Sequence, residues 1–267
     1  MTITEEIVNT DTHKGILGDM APLISRVRAF LAERQDRIDI RRASADGRAL
    51  KEQFGFTGRK AGSPQVILAS DTAVELGHPS TASQALVLLT FQPDLVEAGR
   101  ITVAGPDFDR MDAGGPHPFG QIVMLAIDDA RVPDPFEIDN TQYLMHRLPG
   151  YMVRSVPGRL WARVGRAARR AGMTLDTLGS ALISAYREEF EGVLAAEVLF
   201  ITSSREDVEA LNIVSTEAQI LAGRHKKLVL GIDGDVECAE LACETCEEKP
   251  VCDDLRDIVI KRRKTRQ

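Results

Sequence analysis

Residues 85–127 read ALVLLTFQPDLVEAGRITVAGPDFDRMDAGGPHPFGQIVMLAI, and the grouping of their apolar residues decides the fold. Ala85–Thr90, Arg100–Ala104 and Gln121–Ile127 are short aliphatic runs separated by Gly-, Pro- and Asp-bearing turns. Runs this short, apolar on both sides, suit strands buried on two faces. Gln65–Ser70 has the same character and predicts another strand, with Asp71–Ser83 a polar loop after it. Pro93–Ala98 predicts a turn of helix, and Gly105–Asp109 and Gly114–Gly120 predict loops. The alternation predicts an α/β fold: a mixed sheet with flanking helices.

Working outward toward the N-terminus, residues 1–18 are polar and read as a loose arm. Leu23, Ile24, Val27, Phe30 and Leu31 recur at helical spacing behind Pro22, which predicts an N-terminal helix over Ala21–Ile40. Arg41–Gly62 is charged and glycine-bearing and reads as a connector with a short helix over Leu50–Phe54. Downstream, Asp128–Asp139 carries two prolines and five acids and reads as an internal boundary. Tyr143–Val153 contains a turn at Leu148–Tyr151. Gly158–Ala171 reads as a strongly basic helix. Thr174–Thr177 opens another, reaching about Leu194, with Leu178, Leu182, Ile183 and Tyr186 on one face. Ala196–Thr202 reads as a strand, Ser204–Asp207 as a capping box, and Lys227–Gly231 as a last strand. Three regions follow: a helical arm and connector over 1–62, an α/β body over 63–235, and a small cysteine-rich module over 236–267.

The composition, 43% hydrophobic and 27% charged over 267 residues, is that of a folded globular chain. A net charge of −7 argues against general nucleic-acid binding. The N-terminus has neither a basic nor an apolar leader region, and no run approaches a membrane span. With reduced thiols, the cytoplasm is the expected compartment.

All four cysteines fall in the last module, as Cys238, Cys243, Cys246 and Cys252 with C-x4-C-x2-C-x5-C spacing. Four thiols match the four sites of a tetrahedral metal or a cubane. A single C-x2-C flanked by lone cysteines favours a 4Fe–4S cluster over zinc, whose ribbons pair two knuckles across a longer gap. Zinc stays the alternative, and a disulfide pair suits a secreted chain. The acids crowding the loop disfavour adding an electron, so a cluster here sits at low potential. A helix over Asp254–Lys264 follows, ending in a basic tail.

Arg154, Arg159, Arg163 and Arg166 surround the only tryptophan, Trp161, in an otherwise acidic chain. Guanidiniums chelate phosphate and an indole stacks on a planar base, so these residues are candidates for a phosphorylated cofactor or an acidic protein. The alternative is a solvated basic face with Trp161 in the core. On the predicted helix, Arg159, Arg163, Arg166 and Arg170 share one side. His13, His78, His117, His146 and His225 lack metal-ligand spacing, and no nucleophile elbow, P-loop or dinucleotide fingerprint is present.

Three segments resemble the beta (acetyl-CoA synthase) subunit family of the CO dehydrogenase/acetyl-CoA synthase complex. They are Leu76–Ser83 through Arg100–Asp107, then Pro118–Val123, and then Leu148–Ser155 with Arg159–Trp161. The resemblance covers about residues 64–230. It implies coenzyme A as the ligand of the Arg/Trp region, in a family that joins a methyl group from a corrinoid protein, carbon monoxide and coenzyme A on a nickel-containing cluster. The chain departs from the family in having no Cys-Gly-Cys for the dinickel site. The resemblance therefore implies an iron–sulfur accessory protein of one-carbon metabolism that binds coenzyme A or docks a redox or corrinoid partner. Alternatives are a coenzyme A-dependent C1 or acyl-transfer enzyme completed by ligands from another chain, and a zinc-stapled interaction protein.

Overall fold

The computed structural model describes residues 20–55, 65–131, 138, 141–156, 158–223, 228–230 and 236–238. Those up to Ala218 belong to one compact unit and those from Gln219 to a second. The first unit is built on a five-stranded mixed sheet in the order β1-β4-β9-β6-β3. Its strands are β1 (Ile40–Ser44), β3 (Ser83–Thr90), β4 (Arg100–Ala104), β6 (Phe119–Ile127) and β9 (Val193–Ile201). β9 runs parallel to β4 and antiparallel to β6, while β3 runs parallel to β6 and β1 antiparallel to β4. Every residue of β6 is buried, the two-sided burial that its unbroken apolar run predicts.

Helices cover both faces. α1 (Ala21–Ala32) buries the predicted stripe Leu23, Ile24, Val27, Phe30 and Leu31, with Pro22 in its first turn. α4 (Leu175–Glu189) opens on Thr174, whose side chain accepts the Thr177 N–H while Thr177 reaches back to the Thr174 N–H. A Cβ on its Gly179 would stand 2.8 Å from Ile101 on β4, so the helix packs directly on that side chain. Ile101 pairs with Val198, and strand side chains alternate, so Glu197 points to the other face. There it meets Arg28 of α1. α1 and α4 therefore lie on opposite faces.

Glu197 is fully buried between two guanidiniums. Its Oε1 accepts from Arg28 at 2.5 Å and from Arg100 Nε at 2.8 Å, and its Oε2 accepts the Glu97 N–H at 3.1 Å. Burial works to raise its carboxyl, but the Arg28 and Arg100 bonds hold it below the ordinary carboxylate range. Asp107, also buried, accepts the Leu175 N–H at 2.9 Å and so satisfies an orphan donor of α4, while Arg41 of β1 reaches it at 2.6 Å.

A smaller four-stranded sheet, ordered β5-β2-β8-β7, packs beside the first. It comprises β2 (Thr72–Leu76), β5 (Pro116–His117), β7 (Tyr151–Val156) and β8 (Arg159–Gly165). Here the sequence expectations need correcting. Gly158–Ala171 is not one basic helix: the chain is strand through Gly165, then a short helix α3 (Arg166–Arg170). Arg-Leu-Trp-Ala-Arg-Val alternates polar and apolar, and Leu160, Ala162 and Val164 are buried while Arg159 is exposed, a period of two.

Gln65–Ser70 forms no ladder. Ile67 is buried, its N–H reaching Met152 Sδ at 3.4 Å, but Val66 is 76% and Leu68 61% exposed. The strand lies just beyond, at Thr72–Leu76. The N-terminal helix stops at Ala32, because the following Glu-Arg-Gln-Asp-Arg run supplies no apolar stripe, and Ile40–Ser44 becomes the edge strand β1. The short helix α2 (Leu50–Phe54) and the Ser204 cap of α5 (Arg205–Glu209) form as expected. In that cap Ser204 Oγ accepts the Asp207 N–H at 3.1 Å. Asp207, despite the opposing effect of burial, is held below its usual range by bonds from Ser203, Ser204 and Arg34.

α6 spans Asn212–Gly223, and an antiparallel pair, β10 (Leu228–Leu230) with β11 (Val236–Cys238), lies in the second unit. The N-terminal arm, most of Asp128–Asp139, Cys243, Cys246, Cys252 and the helix expected over Asp254–Lys264 lie outside the described residues.

Candidate functional site

Being a strand changes what the arginine-rich segment presents. Arg159, Trp161 and Arg163 stand on one face of β8, and the ladder places Arg154 of β7 opposite Trp161 and Glu75 of β2 opposite Arg163. Trp161 is half-buried, not part of the core. Its Nε1 donates to Glu75 at 3.0 Å, and the Arg163 guanidinium lies 4.7 Å over the ring. Arg163 also donates to Glu75 at 3.1 Å and to the Ile67 carbonyl at 3.2 Å. Glu75 and Arg163 thus fix the indole in one orientation.

The exposed side of this face borders a cleft of about 480 Å³ between the two sheets. Arg154, Arg159 and Trp161 line one wall, and His78, Gln84 and Asn212 are also in its lining. Arg154 and Arg159 are exposed, with no ion-pair partner among the described residues. Arg163 does not line the cleft. Nor does Arg166, whose Nε approaches the Thr72 carbonyl at 3.4 Å. Three of the five residues singled out from sequence thus share the site, and a fourth orients the aromatic ring from behind.

The cleft lies at the seam between the sheets. Ala85 of β3 donates its N–H to the Gly158 carbonyl at 3.0 Å, and Ser83 Oγ accepts the Leu160 N–H at 2.8 Å while donating back to the Leu160 carbonyl. One serine hydroxyl thus satisfies both backbone groups of a residue where the ladder ends. Gly77 turns beside it at φ +62°, and a Cβ there would overlap the Leu160 carbonyl oxygen. Gly77→Ala is expected to destabilise the protein by about 2–4 kcal/mol, from left-handed strain plus the clash. Chemical denaturation measures it, and an alanine variant as stable as the parent would contradict the tight seam.

His78, Gln84 and Asn212 have no motif that marks them in the sequence. Gln84 stands one residue before an apolar run, and only the turn of β3 brings it beside α6. His78 accepts the Ser80 N–H at 3.1 Å through Nδ1, an ordering of the loop within the cleft wall.

Among the described residues, no three His, Cys, Asp or Glu side chains converge as a metal site. Cys238 ends β11, and the other three thiols lie outside the described residues. The donor set itself, four thiols within fifteen residues, fits a four-cysteine centre. With no Cys-Gly-Cys, it does not fit a dinickel site as well. No helix among the described residues is long and apolar enough to cross a membrane.

Comparison with known proteins matches residues 61–208 to the model of the CO dehydrogenase/acetyl-CoA synthase complex beta subunit family. The acetyl-CoA decarbonylase/synthase complex subunit beta of Methanopyrus kandleri is 29% identical over 144 residues, covering 54% of this chain and 31% of the relative. That of Methanothermobacter thermautotrophicus is 28% identical over 187 residues, 70% of this chain and 40% of the relative. That of Archaeoglobus fulgidus is 28% identical over 138 residues, 51% and 26% of the two chains. The chain thus spans a quarter to two fifths of these relatives' lengths.

Proposed function

The chain belongs to the CO dehydrogenase/acetyl-CoA synthase complex beta subunit family, and from that premise we propose that it is an iron–sulfur accessory member which binds coenzyme A in the cleft at Trp161. The convergence of Arg154, Arg159 and Trp161 on one cleft carries this reading. Two guanidiniums without carboxylate partners among the described residues are matched to phosphate, and a held indole is matched to a planar base. A volume of about 480 Å³ lies within the range of cofactor sites. Cys238, Cys243, Cys246 and Cys252 hold a 4Fe–4S cluster, which transfers electrons or secures the C-terminal segment. In this reading the chain works in the cytoplasm beside a redox or corrinoid partner in one-carbon metabolism, and the relatives' being subunits of a complex supports a protein partner.

The experiment is a titration of the intrinsic fluorescence of Trp161, the chain's single tryptophan. Coenzyme A is expected to change the emission saturably. The Arg154→Ala/Arg159→Ala double variant is expected to bind about 10- to 100-fold more weakly, having lost two charge-assisted contacts. An unchanged signal at millimolar coenzyme A, with no heat in calorimetry, would remove the coenzyme A assignment.

A further inference from the structure

Gln84 is 5% exposed and lines the cleft, yet its carbonyl Oε1 is shut off from water with no hydrogen-bond partner. Its amide Nε2 donates to Asn212 Oδ1, which uses one of its two N–H bonds. A buried acceptor left unpaired costs about 1–3 kcal/mol, so such a group calls for a partner that arrives with a ligand. Among the described residues nothing else supplies one. Among the described residues, the side chain that holds its amide is that of Asn212, which is exposed at the start of α6. Turning the amide about its last torsion, which is broad, presents Oε1 to the cleft in exchange for the bond to Asn212.

We propose that Gln84 is the specificity-determining residue of the cleft and reads the amine-bearing edge of an aminopurine whose ring is placed by Trp161. The inference rests on the coenzyme A reading above and refines it. Once turned, Gln84 offers an acceptor and an N–H donor from the same planar amide. An adenine edge offers an exocyclic N–H donor beside a ring-nitrogen acceptor, and the two match as a bidentate pair. Arg154 and Arg159 then engage the phosphates at the same time, on the wall that Trp161 shares. A 6-oxo purine reverses the first contact, setting a carbonyl against Oε1. A site built this way rejects it, whereas stacking and charge alone accept both bases equally.

The test compares coenzyme A with its hypoxanthine analogue, in which the 6-amino group is replaced by oxygen, on the intact wild-type chain. No substitution is needed, so folding cannot confound it. The analogue is expected to bind about 10- to 100-fold more weakly than coenzyme A, judged by Trp161 emission. The Gln84→Met variant, similar in volume, is expected to bind both compounds alike. Equal affinity of the wild-type chain for the two purines would overturn the role of Gln84 and leave the coenzyme A site standing. Failure of the wild-type chain to bind coenzyme A at all would overturn both. Tight binding of phosphopantetheine alone, with no response to adenosine 3′,5′-bisphosphate, would move the ligand's anchor away from the base and also refute the proposal.

Discussion

Replacing Glu197 with alanine is expected to cost about 3–5 kcal/mol of folding stability, the loss typical when one partner of a buried ion pair is removed. The carboxylate lies at the centre of the large sheet with no exposure, and its removal strands Arg28 and Arg100 with little to neutralise them. Arg100 keeps Glu97, an exposed carboxylate that is worth far less. The Glu97 N–H also loses its acceptor. For a chain of this size the fall in Tm is on the order of 10 °C.

The pH dependence has a definite sign. The folded carboxyl lies below its ordinary value of 4.5, so the unfolded chain takes up the proton first as pH falls. The contribution is complete above about 4.5 and is lost as pH drops from there through the folded value. The stability gap between parent and variant should therefore be flat from pH 6 to 8 and narrow steadily below 4.5. Differential scanning calorimetry over that range measures both effects. An alanine variant that melts within two degrees of the parent would show that the buried carboxylate contributes almost nothing.

The second large effect concerns the cysteines. Protein purified without oxygen is expected to contain about four iron and four acid-labile sulfide per chain, and Cys246→Ala to contain neither. A centre of this kind binds the folded segment and not the unfolded one, so its free energy appears as folding stability. Proteolysis within residues 236–267 should accelerate strongly in the variant while the body up to Ala218 stays resistant. One zinc per chain without sulfide would make the loop a structural clip. Stoichiometric nickel would restore a catalytic metal centre despite the missing Cys-Gly-Cys. Full metal content with an unchanged melting temperature in Cys246→Ala would remove the loop as the ligand set.

The interior of the large sheet was legible because its strands advertise two-sided burial. Arg100–Ala104 was read without error, and β3 and β6 to within two residues of each start. Thr174 and Ser204 announced their helices because a hydroxyl three residues before a polar side chain is a local device. The smaller sheet was not legible. Thr72–Leu76 has a strand's composition but sits among Asp, Gly, His and Pro, and its pairing partner is nearly ninety residues away. In Arg159–Gly165, arginine and alanine are good helix formers, and that propensity masked a period of two. Val66-Ile-Leu68 is as apolar as any strand, yet only its middle residue finds a core.

The site shows the same division. Arg154, Arg159 and Trp161 were identifiable as residue types, because arginine clustered around one tryptophan is unusual in an acidic chain. Their placement in one cleft depends on a hairpin that composition does not reveal. Gln84 gave no signal, because a glutamine at the start of a strand is ordinary until the fold buries it.

The position of β9 has a consequence for how the chain comes to exist. Translation delivers β1, β3, β4 and β6 in that order, and β1 pairs with β4 and β3 with β6, but nothing joins the two ribbons until Val193–Ile201 has emerged. The keystone arrives last. Until then β4 and β6 each show an open apolar edge, the kind of surface that recruits other nascent chains. Closing the sheet also requires pairing residues from 66 to 97 positions apart, which makes folding slow for the chain's length. Ribosome-bound fragments ending before residue 193 should engage chaperones persistently, and those long enough to expose residue 201 should release them together.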